Sequence, residues 1–250
     1  MTTDAGIWLQ CARPVPDPRQ RLVCFPHAGG SASFFRDWAA GLPGTEVLAV
    51  RYPGRAERIA EPVPTDLRVL ARSVADAVEQ VADRPVALFG HSMGAAVALE
   101  TARALEARGV TVAHLFASGS RDAPYPPPPT EEEQRALEAE DDAEVVAELL
   151  RLGGTDPELA ADPDFQELVL PYVRADGRMF HGYGPSAEPV LRCPVTAIAG
   201  DADADADRRP WRELTRGGFR QRTVRGDHFY LVPRPPYTLI QDTLAAPVAG

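Results

Sequence analysis

The chain has 250 residues, 44% of them apolar and 25% charged, with 25 Pro and 20 Gly. That is enough for one compact α/β domain, and too ordinary for a disordered, collagen-like or coiled-coil protein. The formal net charge of −10 lacks the basic footprint that nucleic acid requires, so no nucleic-acid partner is expected.

Along the chain, short apolar runs alternate with longer stretches of helical period. Residues 22–25 and 47–50 read as strands buried on both faces, either side of a helix over 33–42. A helix follows over 65–81 with Thr65 or Asp66 as N-cap, then a strand at 86–89 and a helix over 93–108 closed by Gly109. The next strand is 112–117. This alternation predicts a parallel, doubly wound sheet. The rhythm breaks after Ser120, because Pro124 and Pro126 to Pro129 suit neither a helix interior nor a central strand. Residues 131–152 are acidic and amphipathic, pairing Val145 with Leu149 and Val146 with Leu150, and a second helical stretch over 164–180 is interrupted by Pro171. Strand character returns at 195–199 and at 219–224. We read 122–190 as an insertion over the strands' carboxyl ends, where an open α/β sheet binds ligands; two ordinary helices packed on the sheet are the alternative. With no internal repeat, 1–250 is expected to be a single domain.

The charge is concentrated. Residues 130–165 carry thirteen acids against Arg135 and Arg151, a net of −11 that leaves the remainder near +1. All 26 basic residues are Arg, so there is no lysine for a Schiff base, a P-loop or a Ser-Lys dyad, and the absence of Asn excludes a Cys-His-Asn triad. Cys11, Cys24 and Cys193 are odd in number and scattered, unlike a disulfide frame or zinc site. No apolar run approaches the ~18–20 residues that cross a bilayer. The opening residues have neither the basic cap nor the apolar core of a secretion signal, so a cytoplasmic protein without a membrane partner is expected.

Gly90-His91-Ser92-Met93-Gly94 follows one predicted strand and opens a predicted helix. In G-x-S-x-G the serine occupies a strained strand-to-helix turn; small residues two before and two after allow the tight fold and expose the hydroxyl. The helix N-terminus then faces the developing oxyanion. Serine needs a base. Of five histidines, His91 lies inside the elbow, His114 sits mid-strand, His181 falls in the insertion, and His27 belongs to Phe25-Pro26-His27-Ala28-Gly29-Gly30, which has the shape of an oxyanion loop. His228, in a loop after a strand, remains. The order Ser…Asp…His is that of α/β-hydrolases. The acid comes from the run Asp201, Asp203, Asp205, Asp207; Asp203 stands three residues after the closing glycine as hydrolases prefer, and Asp201 is the alternative. A calcium loop would need glycine at its sixth position and glutamate at its twelfth, where Ala206 and Arg212 stand, so no metal is expected. The oxyanion donors are expected to be the amides of Ala28 and Met93.

Together these motifs resemble the stand-alone type II thioesterases that accompany polyketide synthases and non-ribosomal peptide synthetases. The resemblance adds Tyr52-Pro53-Gly54-Arg55 with Arg58, Arg174-Ala175-Asp176 with Arg178-Met179-Phe180, Cys193-Pro194-Val195, and Gly226-Asp227-His228-Phe229-Tyr230-Leu231. It spans about residues 20 to 240; Gly177 and His181 depart from it, and no proline follows the catalytic-acid motif. It implies an α/β-hydrolase fold with a helical lid, and hydrolysis of acyl groups from the phosphopantetheine arm of acyl or peptidyl carrier proteins, with no bound cofactor. Under that reading the insertion walls an acyl chamber with Tyr172, Met179 and Phe180 as candidate liners, and Arg51, Arg55 and Arg58 are candidates for the arm's phosphate or an acidic carrier face. A generic carboxylesterase, a chain-releasing cyclase and a non-catalytic scaffold are the rivals.

Overall fold

The computed structural model describes residues 4–120, 142–152, 155–184, 186–203 and 210–245. In chain order these form α1 (Asp4–Trp8), β1 (Leu9–Gln10), β2 (Gln20–Phe25), α2 (Trp38–Gly41), β3 (Thr45–Val50), α3 (Leu67–Glu79), β4 (Val86–His91), α4 (Met93–Ala107), β5 (Val112–Ser118), α5 (Asp142–Leu152), α6 (Pro157–Ala160), α7 (Pro163–His181), β6 (Val195–Gly200), β7 (Phe219–Val224) and α8 (Tyr237–Ala245). Three short 3₁₀ turns complete them. The sheet has the order β1-β3-β2-β4-β5-β6-β7, with β1 antiparallel to β3 and every other pair parallel.

The period of two along the strands divides the core. Val23, Phe25, Leu88 and Leu115 face α3 and α4, while Leu22, Cys24, Phe89 and Phe116 face Phe35, Trp38, Leu42 and Ile240. Central strands are buried on both faces, whereas the edge strand β7 is exposed along most of its length. Asp66 caps α3 by accepting the Val69 amide at 2.9 Å, and Gly109 ends the α4 segment at φ +82°. Thr65 has no part in the cap.

Several elements differ from expectation. The helix expected over 33–42 is a 3₁₀ turn, Ala32–Phe35, followed by the four-residue α2, as suits a run of Ser, Phe, Asp and Trp with low helix propensity. α7 runs unbroken through Pro171, whose ring lies on the solvent side; Asp162 caps it by accepting the Asp164 and Phe165 amides at 2.8 and 3.2 Å. α1, β1 and α8 were not anticipated. A two-residue strand shows no periodicity, and α8 follows a proline-rich stretch. The proline cluster and the first residues of the expected acidic helix lie outside the described residues.

β3 and β4 flank β2 on opposite sides, so the order of winding reverses between β2 and β4. Loops leaving the carboxyl ends there diverge to opposite faces and open a crevice. Helices α5 to α7, between β5 and β6 in the chain, supply its upper wall.

Candidate active site

Ser92 sits at the end of β4 with φ +54° and ψ −124°, a conformation L residues rarely adopt. Packing leaves no room for anything but glycine around it. A Cβ on Gly90 would strike the Gly94 carbonyl and Ala95, and one on Gly94 would strike the Phe25 carbonyl. The elbow is held by the Ser92 amide donating to Ser118 O at 2.8 Å and by the Ala95 amide donating to Ser92 O at 2.9 Å. Ser92 also forms the N-cap of α4, so the helix's positive end faces the hydroxyl's surroundings.

His228 lies in the loop after β7. Its Nδ1 is 3.0 Å from Asp203 Oδ2, and the two side chains are 9% and 1% exposed. Asp201 does other work: its Oδ1 accepts the Gly226 amide at 2.9 Å, tying the β6 loop to the loop that carries His228. The sequence ambiguity between these two aspartates therefore separates into one that meets the imidazole and one that braces its loop. Asp205 and Asp207 lie outside the described residues.

The loop after β2 is fixed from three directions. The Tyr52 hydroxyl donates to Pro26 O at 3.2 Å, Arg55 Nη1 donates to Gly30 O at 3.2 Å, and the Gly29 amide donates to Asp176 Oδ2 at 2.8 Å. Arg55 also grips Asp176 through two parallel bonds of 2.6 Å, with side-chain exposures of 2% and 1%. Gly29 holds φ +75°, and Val173 Cγ2 lies 2.7 Å from where its Cβ would stand. Among the described residues, neither the Ala28 nor the Met93 amide meets a protein acceptor.

These contacts argue against the expectation that Arg55 and Arg58 meet the arm's phosphate or an acidic carrier face. Both are buried; Arg55 is consumed by Asp176 and Gly30, and Arg58 pairs with Glu61, donates to Arg51 O at 2.8 Å and stacks 4.1 Å over Trp8. Tyr52-Pro53-Gly54-Arg55 is a brace for the loop carrying Ala28. A lone acid, Asp176, on the apolar face of a helix was the signal for its partner.

Ser92, His228 and Ala28 line one cavity of about 240 Å³. Its wall is completed by Leu149 of α5, Leu159 of α6, and Phe165, Val169, Tyr172 and Val173 of α7, with His27 and Phe229 at the sheet end. Tyr172 lies on this wall. Met179 and Phe180 are not on this wall. Met179 is buried in the core over α3 and α4, with Phe180 packed against the same cluster. The last turns of α7, which rises 1.5 Å per residue, run past the cavity. Phe165, Val169, Leu149 and Leu159 were missed because an apolar helix face gives no sign of which turn meets a cavity.

Around the imidazole, burial disfavours the charged form of His27 and His91. Burial, with the nearby charges of His228 and Arg55, lowers His27 to about 3. Burial holds His91, its Nδ1 2.9 Å from Ser118 Oγ, well below the usual range. Ser118 Oγ in turn lies 2.7 Å from the Tyr230 hydroxyl, which burial pushes up. The His91 ring is 5.0 Å from that of His228, and Gly119 is what lets them approach: a Cβ there would be 2.5 Å from His91 and 3.4 Å from His228. His114 is a satisfied core residue, 2.8 Å from Thr196 Oγ1, and His181 sits on the exposed end of α7. Among the described residues no group of His, Cys, Asp and Glu is arranged to hold a metal, and no helix is long and apolar enough to cross a membrane.

A mostly parallel sheet with a serine on a positive-φ turn at one strand end, and an Asp-backed histidine at another, defines an α/β-hydrolase. The thioesterase-domain family model matches residues 20–242, and the chain belongs to that family. Thioesterase PikA5 of Streptomyces venezuelae is 41% identical over 237 residues, covering 92% of this chain and 82% of its own. Among solved structures, the type II thioesterase BorB from the borrelidin biosynthetic cluster superposes with a TM-score of 0.85 at 36% identity, over 95% of this chain and 98% of its own. RedJ, the thioesterase of the prodiginine pathway in Streptomyces coelicolor, gives 0.81 at 35% identity over 92% and 91%.

Proposed function

We propose that this thioesterase removes acyl groups from the phosphopantetheine arm of acyl or peptidyl carrier proteins, clearing polyketide or non-ribosomal peptide synthases in the cytoplasm. The similarity to type II thioesterases of such pathways supports the substrate class. The observation that carries the chemistry is the shared cavity, which brings together Ser92, His228 and the loop carrying Ala28, with Asp203 behind the imidazole.

In this reading His228 Nε2 takes the Ser92 proton while Oγ attacks the thioester carbonyl carbon, and the Ala28 and Met93 amides receive the negative charge on oxygen. Collapse breaks the C–S bond, and the pantetheine thiol leaves with the proton from His228. His228 then deprotonates a water that attacks the acyl-serine ester; the free acid departs and Ser92 regains its proton. Asp203 orients the imidazole and stabilises its cation. No metal or bound cofactor is needed, because the base is a histidine and the electrophilic assistance comes from amides and a helix end. The apolar wall from α5 to α7 acts as a lid over the acyl chain.

Intact-protein mass spectrometry of several acylated carrier proteins tests this. Loss of the acyl mass with the parent enzyme and its retention with Ser92→Ala is the expected pair of results. Rapid cleavage of nitrophenyl esters with carrier thioesters left intact would instead make the enzyme a carboxylesterase.

A further inference from the structure

We propose that the buried Arg55–Asp176 pair is a positioning device for the oxyanion-binding loop, so that the loop is set only when α7 is docked. The inference rests on the reading of Ser92 and Ala28 given above. Its first ground is that stability alone is a poor reason for the pair. Two charges at 2% and 1% exposure lose most of their hydration, and well-packed apolar residues of similar volume commonly do as well or better.

What an apolar pair cannot supply is direction. Asp176 has both oxygens occupied: Arg55 holds each at 2.6 Å, and Oδ2 also receives the Gly29 amide at 2.8 Å. Arg55 completes the circuit by donating to Gly30 O at 3.2 Å. The Gly29 amide and the Gly30 carbonyl, in the first and third peptide groups after Ala28, are therefore both held by one ion pair that reaches across to the insertion. Gly29 is in positive φ with Val173 of α7 against it, so the loop is pressed to the helix as well as bonded to it. The Ala28 amide is one peptide away. An oxyanion donor works within about 2.7–3.1 Å of its target, and a drift near 1 Å is enough to forfeit most of its effect.

The same turn of α7 also serves the cavity. Tyr172, four residues before Asp176, lines it and stacks against the Arg55 guanidinium at 4.9 Å. Docking of the wall over an acyl chain and alignment of the amide that stabilises its transition state are thus one structural event.

The test is the double variant Arg55→Met/Asp176→Leu, which removes both charges and the Gly29 anchor without leaving either charge alone. Expected are a thermal midpoint at or near that of the parent, a kcat lowered at least tenfold with KM within about threefold, and an alkylboronic acid, whose adduct places an oxygen in the same hole, weakened in parallel. The acid limb of the pH–rate profile, which reports the base, stays where it was. A folded double variant with parental kcat and boronate affinity overturns the proposal. If the double variant fails to fold, Asp176→Asn, nearly the same shape, is read well below its own midpoint: kcat at least threefold down at constant KM sustains the role, and unchanged kcat overturns it. Ser92→Ala separates the two ideas. Full activity there sinks the catalytic reading itself, whereas an inert Ser92→Ala beside a fully active double variant sinks only the positioning role.

Discussion

Exchanging Asp203 for Asn should lower kcat by about a thousandfold or more, while the same exchange at Asp201 should leave kcat within about threefold. The magnitudes follow from what each carboxylate touches. Asp203 Oδ2 is 3.0 Å from His228 Nδ1, with both side chains nearly sealed from water. When His228 gains a proton, the new charge lies roughly 4 Å from the carboxylate's centre, worth about 4 kcal/mol at an effective dielectric constant near 20. At about 1.4 kcal/mol per decade that is close to three decades of rate. Asparagine can also present an N–H to Nδ1, which favours the tautomer that cannot accept the serine proton. Among the described residues the Asp201 side chain makes one bond, to the Gly226 amide at 2.9 Å, at an exposed site. The amide oxygen of asparagine can still accept that N–H, so the exchange costs at most the about 0.5–1.5 kcal/mol of the bond, a midpoint shift of no more than roughly 6 °C for a chain this size. Thiol release from acyl-N-acetylcysteamine thioesters measures the first effect and a thermal melt the second. An Asp201→Asn enzyme as inactive as Asp203→Asn, or an Asp203→Asn enzyme within tenfold of the parent, would refute the assignment.

Gly94→Ala should destabilise the fold by about 1–3 kcal/mol and depress kcat with it, because its Cβ would press on the Phe25 and Pro26 carbonyls at the root of the loop carrying Ala28; a melt and kcat both matching the parent would contradict the packing. Acid should unfold the protein with net proton uptake. His27, lowered to about 3, His114, lowered to about 4, and the buried His91 stay neutral in the fold yet bind protons near pH 6.5 once unfolded. The unfolded state then holds more protons, so stability falls as pH drops from about 6.5 toward 4, by roughly 1.4 kcal/mol per pH unit for each histidine. Denaturant titrations across that window measure the slope, and His114→Gln should lessen it; a flat profile would mean that these rings are protonated in the fold.

Residues whose chemistry is written in local spacing could be read without coordinates. The elbow at Ser92 needs glycines two residues either side, and a mostly parallel sheet follows from the alternation of elements, so both were legible, whereas the strand order was not. The choice between Asp201 and Asp203 was only partly legible: spacing from Gly200 favours Asp203, but four aspartates alternating with alanine leave its neighbours chemically equivalent until the contact with a histidine 25 residues on is seen. What was illegible is every contact whose meaning depends on a distant partner. Arg55 sits in a polar, turn-rich stretch that looks solvated, and only the arrival of Asp176, 121 residues later, turns it into a buried cation. That Met179 and Phe180, candidate liners under the resemblance, pack against the core was illegible for a related reason: a helical sequence does not show which of its turns meets a cavity and which meets the core.

That failure also explains why the arginine motif is hard to interpret from its charge. A cation on a solvated loop and a cation clamped in the core have the same letter, yet they predict opposite responses to charge reversal. On a loop, the change would alter encounter with a charged carrier and leave a free thioester untouched. Clamped between Asp176 and Gly30, a reversed charge at residue 55 would face a buried carboxylate with no counter-ion, disturbing the fold and both substrates alike. If the positioning role holds, α7 and the loop carrying Ala28 meet at Arg55, a side chain almost sealed from solvent, and a reversed charge there would act through the loop.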